Sequence, residues 1–103
     1  MKDKGATIVV EGTFAPGYEA YFEVYSQTIR DFLKQFDTTV VRRQLITKTI
    51  YGQNKPDLIM LIDFADKDLA RNVFLEQDYI AIIPLRNKVF KDFKMYLAEA
   101  GAI

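Results

Sequence analysis

The sequence predicts an α+β domain in which helices cover one face of a four-stranded antiparallel sheet. Segments rich in β-branched residues and segments of helical periodicity follow one another in the order strand, helix, strand, strand, helix, strand. A short turn alone separates the second and third strands, so these two pair as a hairpin. Right-handed crossovers then place both long helices on the same face of the sheet.

The first strand and the first helix have the clearest patterns. The segment "ATIVVEG", Ala6–Gly12, is short and β-branched, which predicts a strand, and Pro16 lies near the start of a helix. Apolar residues then recur at gaps of three and four, which places them on one helix face: Tyr18, Tyr21, Phe22, Tyr25, Ile29, Phe32, Leu33 and Phe36. We interpret the aromatic part of this stripe as core, not as a binding platform.

A hairpin follows this helix. The segment Thr38–Gly52 is rich in Thr, Val and Ile, which predicts one long strand, bent or bulged near Arg43 and Gln44. The residues "GQNKPD" predict a turn. The continuous apolar segment "LIMLIDF", Leu58–Phe64, is typical of a central strand.

The second half of the chain predicts three short helical pieces and a last strand. Asp66 is suited to cap the first piece. We interpret Tyr79–Ile82 as a short helical turn. Proline costs ~3 kcal/mol inside a helix but little in its first turn. Pro84 should therefore begin a separate helix that runs to about Phe93, and "KMYLAEAG" predicts a final strand that ends at Gly101.

Together these elements form a ferredoxin-like βαββαβ fold, which we expect to occupy residues 1–103 as a single domain. Alternation along strand three places Ile59, Leu61 and Asp63 on the face that no helix covers. Exposed apolar side chains there would be unusual for a monomer, and burying each aliphatic one contributes ~1.5–3 kcal/mol. We therefore expect a homodimer in which two sheets face each other and form a β-barrel.

Composition excludes several classes of function. The 103 residues carry 14 basic and 14 acidic side chains, a balance that disfavours nucleic acid and acidic membranes as partners. The chain has no cysteine and no histidine, which removes disulfides, thiolate nucleophiles, serine triads and the usual zinc and haem ligands. We expect a cytoplasmic protein without a cofactor.

Charged residues near the ends of apolar segments are the candidate site. A cation in the first turn of a helix is disfavoured by the helix dipole, so Arg86 should have an acidic partner, for which Asp63 is the candidate. This pair is either a structural ion pair or a site. In a site, Asp63 and Arg86 would be catalytic, with Asp63 as a proton shuttle, and Arg86 or Arg43 would bind an anionic or carbonyl group. Tyr79 and, less strongly, Glu11 are further candidate ligand-binding residues.

The segment Leu58–Arg86 resembles domain-of-unknown-function family 1330, in the dimeric α/β-barrel superfamily. Members carry an acidic residue and Phe at the end of strand three, then a Ser/Glu-Tyr element and a Pro-Leu-Arg triplet; this chain has Asp63-Phe64, Asp78-Tyr79 and Pro84-Leu85-Arg86. Arg43 matches the arginine near the end of the family's strand two, whereas Gln44 and Leu45 replace its glycine pair. The resemblance implies the fold, a homodimer and an enclosed cavity. Superfamily relatives include cofactor-free monooxygenases, muconolactone-type isomerases and haem-dependent peroxidases.

Two hypotheses about function follow. The first is a homodimeric protein that binds a small organic ligand in a cavity on the uncovered sheet face, and that can be a cofactor-free enzyme of monooxygenase or isomerase type. The alternative is a structural or regulatory dimerisation module, in which Asp63 and Arg86 form a saturated pair with no room for a ligand.

Overall fold

Four strands form one sheet. In the described part of the chain, every helix lies on the same face of this sheet, the face on which the first strand is buried. The structure, a computed structural model, describes residues 5–100. Its elements in chain order are β1 (Ala6–Phe14), α1 (Glu19–Leu33), β2 (Thr38–Leu45), β3 (Leu58–Phe64), α2 (Lys67–Asn72), a 3₁₀ turn (Val73–Leu75), α3 (Gln77–Ile80), α4 (Ile83–Val89) and β4 (Phe90–Ala98).

The strand order β2-β3-β1-β4, antiparallel throughout, confirms the ferredoxin-like fold. The predicted hairpin of β2 and β3 is present, and β3 has the predicted bounds. The irregularity in β2 falls between Val40 and Arg42, slightly before the expected position. This bulge decides which face of the sheet the following arginines occupy.

Two predicted element ends are wrong, and strand pairing explains both. The second strand ends at Leu45, not Gly52, because Leu45 pairs with Leu58, the first residue of β3. Beyond this pair, the Ile46 N–H still donates to the Asp57 carbonyl at 2.9 Å, but no further ladder pair forms in the described part of the chain. The last helix ends at Val89, not near Phe93, because β1 continues to Phe14 and offers β4 a partner as early as Phe90. Tertiary pairing thus overrides the local helical pattern. The predicted end at Gly101 lies outside the described residues.

The core lies between the helices and one face of the sheet. β1 and β3 bury alternate residues there, among them Ile8, Val10 and Ile62. Helix α1 contributes Phe32 and Leu33. Within residues 5–100, no helix is long and apolar enough to span a membrane.

Removing the cap of α2 should destabilise the protein. The Asp68 backbone N–H donates to Asp66 Oδ1 at 2.9 Å, as the sequence predicted. We expect Asp66→Ala to lower the free energy of unfolding by about 1 kcal/mol, because that N–H loses its acceptor. Urea denaturation of Asp66→Ala beside Asp66→Asn, which keeps a capping oxygen, measures this. Equal losses in the two variants would contradict the capping role.

Candidate functional site

The uncovered sheet face carries a mainly apolar row between two mainly polar rows. By strand register, Tyr96, Val9, Leu61 and Arg42 form a row across the four strands. The next row contains Lys94, Glu11, Ile59 and Gln44, and the row on the other side contains Ala98, Thr7, Asp63 and Thr39. Val9, Ile59 and Leu61 are only half-buried, and Tyr96 is 49% exposed. We call this surface the open face.

An aromatic cavity lies on the opposite side of the sheet, beneath α1. It measures about 160 Å³ and has residues of all four strands and of α1 in its wall. Its walls are mainly apolar; its lining comprises Val10, Phe22, Tyr25, Ser26, Ile29, Arg30, Leu33, Val40, Arg43, Leu58, Met60, Phe90 and Phe93. The cavity that the sequence predicts, enclosed between two subunits on the open face, stays a prediction, and the cavity beneath α1 is an additional finding.

Tyr25 is one of the residues that line this cavity. The residue is 6% exposed, and its ring packs edge to face on Phe90 with centroids 5.7 Å apart. Within residues 5–100 the hydroxyls of Tyr79 and Tyr96 take part in hydrogen bonds, whereas that of Tyr25 does not. Burial raises the pKa of Tyr25, the nearby Tyr79 adds to the rise, and Arg86 opposes it. The Tyr25 phenol is therefore a neutral donor without an internal acceptor.

Arg86 lies beside Tyr79 and behind one wall of the cavity. Its Nη1 donates to Tyr79 Oη at 3.1 Å, and its guanidinium lies over the Phe93 ring at 4.7 Å from the centroid. The Arg86 Nε is buried and has no hydrogen-bond partner in the described part of the chain. Such a donor is costly unless an acceptor reaches it. Tyr79 is itself buried, with its ring against Phe32 and Phe74.

Arg43 borders the cavity at the β2 edge of the sheet. The register pairs it with Met60, which puts it on the helix side. Its side chain is exposed, and its guanidinium carbon lies 6.0 Å from the centroid of the Phe22 ring. Among the hydrogen bonds and ion pairs between described residues, none involves Arg43. In contrast, the neighbouring Arg30 donates to Gln27 at 2.8 Å.

The predicted pair between Asp63 and Arg86 does not form. Asp63 is exposed on the open face, where it accepts a hydrogen bond from Thr7 Oγ1 at 2.6 Å. Arg86 contacts Phe93, whose register partner is Gly12, on the helix side. Glu11 also lies on the open face, where it accepts from Tyr96 Oη at 3.3 Å. The structure therefore brings Arg86, Tyr79 and Arg43 to one side of the sheet, and Asp63 and Glu11 to the other.

The helix-side arrangement is suited to binding an organic molecule that carries an oxygen atom. Flat aromatic walls favour an apolar or aromatic body. The neutral Tyr25 hydroxyl can donate a hydrogen bond to a ligand oxygen. The prediction that the aromatic stripe of α1 is core is confirmed for Tyr25, which belongs to the core cluster, and for Phe22, which packs against it. That both residues also line a cavity was not predicted. The one signal in the sequence was that position 25 is a tyrosine and not a phenylalanine. A buried hydroxyl requires a hydrogen-bond acceptor, whereas a phenylalanine ring requires none.

The family of the chain follows from a match in sequence. A protein-family model described as a domain of unknown function, DUF1330, matches residues 12–100. Among curated proteins, none matches the chain.

Several solved structures are similar to this one. A protein of unknown function from Rhodopseudomonas palustris has a TM-score of 0.77 at 8% identity, covering 98% of this chain and 85% of the other. A dimeric protein of unknown function with a ferredoxin-like fold, from Bacteroides fragilis, has a TM-score of 0.64 at 6% identity, covering 97% and 100%. A cofactor-independent oxygenase from Streptomyces nogalater has a TM-score of 0.64 at 17% identity, covering 97% and 96%. These likenesses concern the fold.

Proposed function

The chain belongs to the DUF1330 family, and from its geometry we propose that it is a homodimer that binds a small oxygen-bearing organic ligand in the cavity beneath α1. The observation that carries this proposal is Tyr25, a core residue that lines the cavity and whose hydroxyl makes no hydrogen bond with residues 5–100. Because that hydroxyl oxygen is not among the fully shielded atoms without a partner, a ligand can reach it.

The open face is the proposed dimer interface. Its apolar row, formed by Val9, Leu61 and Tyr96 with Ile59 beside it, is left partly exposed by one chain. A second copy related by a two-fold axis would cover the row with the same row of its own. The B. fragilis protein of similar fold is described as dimeric. In this proposal the two cavities lie outside the interface, one on the helix side of each subunit.

Tyr25→Phe tests the binding proposal. We expect phenol, a probe with one ring and one hydroxyl, to bind about fivefold more weakly to this variant, because one hydrogen bond of about 1 kcal/mol is lost. Stability in urea should be unchanged or slightly higher, since the variant breaks no hydrogen bond within the described chain. Isothermal titration calorimetry with phenol measures the first effect.

Tyr21→Phe is the matched control for this experiment. Tyr21 is on the same helix, is 39% exposed and does not line the cavity. The Tyr21→Phe variant should therefore leave phenol binding unchanged. If phenol bound equally well to Tyr25→Phe and to the unchanged protein, the hydroxyl would not be part of a binding site.

Cofactor-free catalysis is a second candidate function, favoured by the same hydroxyl. A neutral phenol beside a mainly apolar cavity can stabilise negative charge that develops on a substrate oxygen. The fold is also that of the cofactor-independent oxygenase from S. nogalater. The roles first assigned to Asp63 and Glu11 would then require a substrate on the open face, whereas Tyr25 requires one beneath α1. The effect of Tyr25→Phe on turnover would separate these two positions.

A further inference from the structure

We infer that the ligand of this cavity is a single-ring aromatic acid, bound with its carboxylate at the β2 edge beside Arg43 and its ring between the aromatic walls. This inference rests on the proposed function, because it assigns a chemical class to the molecule that the cavity receives. It makes Arg43 the residue that selects for an anion.

The size of the cavity fits one six-membered ring. Its volume is about 160 Å³. An engineered apolar cavity of about 150 Å³ in another protein binds benzene. Aromatic side chains from two elements line it, since Phe22 and Tyr25 come from α1 and Phe90 and Phe93 come from β4. A fused two-ring system would need the walls to move apart.

The charge at the cavity has one sign. Its two charged lining residues, Arg30 and Arg43, are both cations, and no carboxylate is among the described residues that line it. Arg30 already donates to Gln27. Arg43 has no such partner within residues 5–100, so its planar fork is available to a carboxylate, the group that it suits best. The ligand charge that this lining favours is therefore negative.

The positions of Arg43 and Tyr25 favour a ligand with two polar ends. Arg43 is on edge strand β2, and it borders the cavity near Phe22. Tyr25 packs against Phe90, where opposite edge strand β4 begins, and its hydroxyl is near enough to Arg86 and Tyr79 for both to affect its pKa. A ring with a carboxylate at one end and a hydroxyl or carbonyl oxygen at the other meets both groups.

The test compares 4-hydroxybenzoate with phenol, which has the same ring and hydroxyl but no carboxylate. We expect 4-hydroxybenzoate to bind about fivefold more tightly than phenol, the upper end of what an exposed ion pair contributes. Arg43→Gln should remove this preference and leave phenol binding unchanged. Raising the salt concentration should weaken the preference as well, because exposed charges are screened.

Arg42→Gln is the matched control. Arg42 is the preceding residue and is also exposed, but it pairs with Leu61 and belongs to the open face. This variant changes net charge by the same amount and should keep the preference. If 4-hydroxybenzoate and phenol bound equally, or if Arg43→Gln kept the preference, the assignment of an aromatic acid would be overturned. If neither compound bound, the proposed function itself would fail, and this inference with it.

Discussion

Replacing Leu61 with arginine is expected to convert the proposed dimer into folded monomers. Leu61 lies in the middle of the apolar row, between Val9 and Arg42 by strand register. Covering an unpaired cation with a second subunit costs several kcal/mol. We therefore expect the dimer to dissociate at least about 100-fold more readily. Sedimentation velocity at micromolar concentration should show a species of twice the 11.9 kDa chain for the unchanged protein and of one chain for Leu61→Arg.

Two comparisons make this result specific. Leu75 is 71% exposed, away from the open face, so Leu75→Arg should remain dimeric. The cavity lining comes from a single chain, so the Leu61→Arg monomer should still bind phenol. A dimeric Leu61→Arg protein, or an unchanged protein that is monomeric at this concentration, would contradict the proposed interface.

Gly12→Ala is expected to give the largest loss of stability. A Cβ at Gly12 would lie 2.5 Å from Cε1 and 2.6 Å from Cδ1 of Phe90. The Phe90 ring has little room to retreat, since it is 4% exposed and packs on Phe14, Tyr25 and Phe93. Overpacking of this kind costs ~1–3 kcal/mol. For a domain of this size that is a fall in melting temperature of several degrees per kcal/mol, which differential scanning calorimetry measures.

A double-mutant cycle tests the cause of that loss. Phe90→Leu removes the ring that the new methyl group meets, so Gly12→Ala should cost less in a Phe90→Leu background than alone. The Phe90 ring also lines the cavity, so its displacement in Gly12→Ala should weaken phenol binding. Additive losses in the cycle would show that the close approach to Phe90 is not what limits position 12.

The sequence predicted the elements better than their ends. The stripe of α1 and the apolar run of β3 carry periodicities that packing reinforces, so both elements lie where expected. The end of β2 and the start of β4 depend on how far β3 and β1 extend as partners. That information belongs to the sheet as a whole and is absent from the local pattern.

The candidate site was also predicted only in part, because it depends on how the elements pack together and not on the local sequence pattern alone. The break at Pro84 drew attention to Arg86, and the structure gives that side chain a buried Nε without a partner in the described region. The expectation that Arg86 pairs with Asp63 was wrong, because spacing along the chain does not tell which side of the sheet α4 faces. A cavity was expected on the open face because the apolar pattern of β3 was the visible signal, and the one beneath α1 was not predicted. An imperfect fit between α1 and the sheet has no signature in the sequence.

The central claim is that the ligand binds beneath α1 and not on the open face, and methyl NMR tests it most directly. Among described residues, Met60 lines the cavity, whereas Ile59 and Leu61 belong to the open face. In a protein labelled with ¹³C at Met, Ile and Leu methyl groups, saturating phenol should shift the Met60 methyl signal through the ring current of the bound aromatic, with little change at Ile59 and Leu61. A saturable shift at Ile59 and Leu61 that leaves Met60 unmoved would contradict the account.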